Sequence, residues 1–180
     1  MVLENLLSQN QKAILKRWFD LILETYPRET ASLMRKDRNQ FTNPVGFMIS
    51  QEIEVLFKGL LEGANPEGFS ASLNSIIKLR SVQDLSPSQA TGFIFLLKKA
   101  IGETIKSEGQ EETIQDEWLR FHSKIDELAL HAFDVYMDCR EKICEIRVKK
   151  AQAEREMAFK MMERMTPSKR KNQREEGSDE

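Results

Sequence analysis

Apolar residues fall at three- and four-residue steps in successive stretches of this chain and alternate with polar ones over no useful length, so the pattern predicts helices and no strand. Ile14, Trp18, Leu21, Ile22 and Thr25 form one face, with Lys12, Lys16, Arg17, Asp20 and Glu24 largely off it. Ser8 to Gln11 reads as a capping box that starts this helix, and Pro27 bounds its end. A shorter helix is expected over Glu29 to Lys36, with Ala31, Leu33 and Met34 as its apolar residues. Asn43 before Pro44 opens another, because an amide oxygen can cap free N–H groups while proline sits where no N–H is needed. Ile49, Ile53, Leu56, Phe57 and Leu60 supply its buried stripe, and Gly63 its left-handed stop. Asn65 and Pro66 repeat the cap chemistry ahead of Phe69, Leu73, Ile76 and Ile77. Ser86, Pro87 and Gln89 combine a cap, an initial proline and a capping-box partner. The helix behind them carries Ala90, Phe93, Ile94, Leu97, Ile101 and Ile105 inward and leaves at Gly109.

Glu111 to Thr166 contains neither proline nor glycine. Trp118, Ile125, Leu128, Ala132, Val135 and Cys139 give that run a buried stripe along its first half. A helix of about 50 residues reaches about 75 Å, against about 30 to 40 Å for a small domain, which predicts a head with a projecting helical stalk. Beyond Ile146 the stripe thins to Ala153, Met157, Met161 and Met165 among charges, where methionine suits an adaptable partner surface and a frayed, solvated helix is the equal alternative. Thr166 to Glu180 is polar, contains Pro167 and Gly177, and is expected to be disordered. The fold class is therefore all-α: a globin-like or helical-bundle head with a long C-terminal helix, spacing alone not choosing between the two packings. The division expected is 1–146 for the helical head, 147–165 for a helical extension and 166–180 for the tail.

With 180 residues, 40% of them hydrophobic, the chain can build one core plus an extension. A net charge of −2 gives no bulk attraction for phosphate backbones, so nucleic acid is not an expected partner. No signal-peptide pattern opens the chain and no long apolar run spans a bilayer, so a cytoplasmic protein with no integral membrane segment is expected. Cys139 and Cys144 lie about 140° apart around a helix and cannot pair with each other; both read as small semi-buried residues of a reducing cytosol, with an intermolecular disulfide at Cys139 as the alternative.

Chemistry is sparse. No Gly-rich phosphate loop, His-Glu-x-x-His or paired Cys-x-x-Cys spacing occurs, so no catalytic, cofactor-binding or metal-binding residue is expected, and no enzyme. Asp126, Glu127, Asp134 and Asp138 read as the solvated side of the long helix. His122 and His131 flank its apolar stripe; either could reach a haem iron, while a satisfied histidine at the border of a core is the plainer reading. Lys169, Arg170, Lys171 and Arg174 are followed at once by Glu175, Glu176, Asp179 and Glu180, which reads as a solubilising tail.

Arg17-Trp18-Phe19-Asp20, Phe41-Thr42-Asn43-Pro44-Val45-Gly46, the run Arg80-Ser81-Val82-Gln83-Asp84-Leu85-Ser86-Pro87-Ser88-Gln89-Ala90, and Ile125-Asp126-Glu127-Leu128-Ala129 together resemble the N-terminal domain of RsbT co-antagonist proteins of the RsbRD type. The resemblance covers roughly residues 8 to 148. It implies an all-helical input domain similar to haem-free globin-like sensors of bacterial stress signalling, in which the head dimerises and a long helix passes its state to a C-terminal STAS domain. No STAS domain follows the helix in this sequence, so no phospho-acceptor carries over, and Thr166 is not promoted to a regulatory site for preceding a proline. The expectation is a non-enzymatic signalling or adaptor module with protein partners, a homodimer, with Ile125, Leu128, Ala132, Val135 and Cys139 as core or dimer contacts. A haem- or small-ligand-binding protein and a structural subunit docking through its C-terminal helix are the alternatives.

Overall fold

The computed structural model describes residues 2–36, 41–83, 85–109 and 113–165. Among these every regular element is helical: α1 (Val2–Gln9), α2 (Gln11–Leu23), α3 (Arg28–Lys36), α4 (Pro44–Glu62), α5 (Pro66–Ser81), α6 (Pro87–Thr91), a 3-10 turn (Gly92–Ile94), α7 (Phe95–Ser107) and α8 (Gln115–Met165). The chain is all-α with a long C-terminal helix, as its periodicity predicts. It divides into two units, Met1–Arg140 and Glu141–Glu180.

In the first unit α2 lies at the centre, packed on α3, α4 and α7, while α4 pairs with α5. Trp18 is fully buried, stacks on Phe93 at 6.5 Å and donates its indole N–H to the Phe93 carbonyl at 2.7 Å. A buried indole needs such an acceptor, and this bond fixes α2 against the chain between α6 and α7. Gly59 lets α4 approach α5 closely, since a Cβ there would lie 2.5 Å from Cε1 of Phe69. Asn43 Oδ1 accepts from the Gly46 N–H at 2.9 Å and its Nδ2 donates to the Met34 carbonyl at 2.7 Å, so one side chain caps α4 and ties it to α3.

Several sequence-predicted boundaries hold and others move. Gly63 and Gly109 take left-handed φ values of 69° and 65° as stops, and Ser86 and Gln89 form both bonds of the capping box. Ser8 does not begin a helix. It lies inside α1, which the spacing did not predict, and α2 starts after Asn10, whose Nδ2 turns back to the Leu6 carbonyl at 3.2 Å. The α1 stripe of Leu3, Leu6 and Leu7 is buried but too short for its period to stand out. Asn65 precedes α5 without a side-chain cap bond.

The single helix expected between Ser86 and Gly109 is instead α6, a 3-10 turn and α7. In this stretch the carbonyls of Gln89 and Ala90 accept from Arg80, and that of Phe93 from Trp18. Tertiary hydrogen bonds thus draw on the main chain where the ladder tightens, a competition that no local pattern reveals. The long helix begins at Gln115, later than the Glu111 start of the uninterrupted run.

In the second unit α8 continues to Met165. Ile143 is half-buried and every other residue from Glu141 to Met165 is exposed. The polar tail expected over 166–180, including Thr166 and the Lys169, Arg170, Lys171 and Arg174 cluster, lies outside the described residues.

Candidate functional site

Within the first unit α8 has two apolar faces. Ile125, Leu128, Ala132, Val135 and Cys139 are buried in the core with Phe121, Ala129 and Tyr136. Leu119, Leu130, Phe133 and Met137 are 68%, 69%, 46% and 50% exposed. At 100° per residue this second set lies about 135° around the axis from the first. A helix needs one apolar stripe to dock in its own domain, so a second exposed one is unexplained by folding. Phe95, half exposed, borders the same region: the Lys98 ammonium sits 5.7 Å over its ring and pairs with Asp126 of α8 at 2.7 Å.

Behind the core face lies a group that periodicity did not single out. Arg80 is fully buried on the apolar stripe of α5, seven residues after Leu73. Its guanidinium donates to Tyr26 Oη at 2.8 Å, Thr25 Oγ1 at 3.2 Å, and the carbonyls of Gln89 and Ala90 at 2.9 and 3.2 Å. It also lies over the rings of Tyr26 and Phe93 at 5.0 and 5.7 Å. Among the described residues no carboxylate pairs with it. Burial pulls its pKa down, opposed by Tyr26, and burial raises that of Tyr26, opposed by the Arg80 charge. Among the described residues the charge is held by neutral oxygens and aromatic faces, which joins α5, α6 and the chain after α2 into one network. The signal available in sequence was an arginine at a position where the stripe asks for a hydrophobe.

The residues considered for chemistry are dispersed. His131 Nε2 lies 3.0 Å from Ser70 Oγ, while His122 packs edge-on against Trp118 with centroids 4.0 Å apart, and its buried Nε2 has no hydrogen-bond partner among the described residues. Burial, reinforced by Lys98 and opposed by Asp126, lowers the His122 pKa. Asp126 is engaged by Lys98, and Glu127, Asp134 and Asp138 are exposed. Among the described residues no three His, Cys, Asp or Glu side chains group as a metal site, and no helix is long and apolar enough to cross a membrane. Cys139 is buried and Cys144 exposed, so the accessible thiol is not the one expected to form an intermolecular bridge.

Residues 12–148 match the family model described as the RsbT co-antagonist protein rsbRD N-terminal domain. The chain belongs to this family. The match includes α2 from its second residue, every helix from α3 to α7 and the part of α8 that carries both apolar faces. The chain is also 26% identical over 161 residues to an uncharacterized protein of Archaeoglobus fulgidus, covering 86% of this chain and 93% of that one. No solved structure matches it.

Proposed function

We propose that this RsbRD N-terminal domain protein is a non-enzymatic, cytoplasmic signalling or adaptor module that forms a homodimer along α8 and passes the state of its helical head to protein partners. Membership of a signalling family supports the general reading. The observation that carries the dimer is the outward stripe of Leu130, Phe133 and Met137, left exposed while Ile125, Leu128, Ala132, Val135 and Cys139 hold the helix to its own core. In sequence the spacing of seven that links Leu130 to Met137 continues through Cys144, Ala151, Ala158 and Met165, the repeat by which helices pair. On this reading residues 1–146 act as the head and 147–165 as its output. Signalling requires two arrangements of packed helices whose balance an input changes, and a differential binding energy of about 3 kcal/mol shifts such a balance roughly a hundredfold.

Light scattering across a concentration series tests the dimer, with oxidative capture of Cys144 to its counterpart as a second readout. A dimer that Leu130→Asp with Met137→Asp converts to monomer is expected; a monomer at every concentration ends the proposal. Parallel pairing in heptad register brings the two Cys144 thiols together, whereas antiparallel pairing keeps them apart. A second reading rests on the exposed Met157, Phe159, Met161 and Met165, a surface for docking on a larger assembly. A partner lost on truncation after Ile146 supports it.

A further inference from the structure

A cavity on the first unit lies where α2 ends and α3 begins. It measures about 490 Å³, within the range of small-molecule sites. Ala31 and Tyr26 give it apolar surface, Ser32 a hydroxyl, and Leu23 on the same wall is fully buried. Its charged walls are unbalanced. Arg28 makes no ion pair among the described residues, and Arg35 makes a single 3.4 Å contact with Asp20, which is not part of the wall. Glu24, the carboxylate on the wall, faces Arg17 at 3.6 Å. Behind Tyr26 sits the buried Arg80, a third positive charge, with no carboxylate paired to it among the described residues.

We propose that this cleft binds a small organic anion, its carboxylate or phosphate held by Arg28 and Arg35 and its apolar part resting on Ala31 and the Tyr26 ring. Guanidinium groups match the planar fork of a carboxylate or the oxygens of a phosphate, and two of them about 10 Å apart, seven residues along one helix, can grip an anion from both ends of a cleft. The site is joined to the fold's interior. Tyr26 Oη accepts from Arg80, whose other bonds hold the Gln89 and Ala90 carbonyls, so a ligand that shifts the Tyr26 ring acts on α6 through a single side chain. As an input to the signalling module this rests on the function proposed above; the binding itself does not require a dimer.

The test is a titration of the full-length ¹⁵N-labelled protein with benzoate, phenyl phosphate and, as the uncharged control, benzyl alcohol, followed by NMR. Both anions are expected to give saturable shifts at Ala31, Ser32 and the Arg80 Nε–H, with benzyl alcohol at least about tenfold weaker, since an ionised partner about doubles a hydrogen bond's strength. The tighter of the two anions identifies an organic acid or a phosphate ester as the natural class. Arg28→Gln with Arg35→Gln, both on an exposed helix face, should weaken binding at least about tenfold with unchanged helicity, whereas Lys58→Gln should leave it alone. Absence of saturation, equal response to benzyl alcohol, or unchanged affinity in the double variant overturns the proposal. A chain that binds the anions as a monomer retains the cleft and removes the dimer; a dimer that does not bind them does the reverse.

Discussion

The stretch of α8 before Arg140 and the stretch after it use similar residues to different ends. From Phe121 to Cys139 a core face recurs every three or four residues and is buried, while Leu130, Phe133 and Met137 stay in solvent on another face. From Glu141 to Met165 apolar residues are still present, but Ile146, Val148, Met157, Phe159 and Met161 are all exposed. Amphipathic spacing therefore does not by itself assign burial. It offers a face, and the face is buried only where neighbouring helices present one of matching shape.

The widest separation between the two stretches should come from paired truncations. Ile125→Ala removes a fully buried side chain and should cost about 2 to 5 kcal/mol, whereas Ile146→Ala should stay within about 0.5 kcal/mol. Urea unfolding followed by circular dichroism reads both, and equal losses would break the comparison. In the monomer, amide hydrogen exchange should show the same contrast residue by residue, with protection near the global limit around Ile125 to Tyr136 and weak protection around Val148 to Ala158, because solvent-exposed helix opens locally. Strong protection in the second stretch would reveal a partner, the second copy first among the candidates.

A smaller effect concerns the border of the core. The His122 pKa is lowered by burial and by Lys98, so in the window below about 6.5 the unfolded chain binds protons that the folded chain resists. Stability contributed by neutral His122 is present above that value and is lost as pH falls through the folded pKa. His122→Gln should therefore flatten the fall in urea midpoint between neutral and mildly acidic pH, and an unchanged slope would assign the fall to other groups. The smallest change is expected at the Lys150 and Glu154 pair, 3.9 Å apart and exposed: Lys150→Ala should alter stability by less than about 0.5 kcal/mol, and that little only at low salt.

Much of this was legible from residue order because helices announce themselves locally. A side-chain oxygen before proline, a glycine needing positive φ, and a stripe every three or four residues all act within a few positions, which is why Asn43, Gly63, Ser86 and Gly109 stand where the pattern puts them. The candidate surfaces were less legible. The stripe of Ile125, Leu128, Ala132, Val135 and Cys139 is visible in sequence, but whether it meets the same chain or another copy depends on what surrounds it. The cleft beside Tyr26 went unread because its walls come from the end of α2 and the length of α3, and no short motif spans them.

The sequence alone determined the helical class, most helix limits and the family, since each follows from chemistry between near neighbours. Only the tertiary structure decided that Arg80 is buried with no carboxylate paired to it among the described residues, that the helix after Ser86 is divided by a 3-10 turn, and that Leu130, Phe133 and Met137 remain uncovered. Those outcomes depend on which distant carbonyls, rings and apolar faces meet in three dimensions, and burial is a property of that meeting rather than of any residue taken singly.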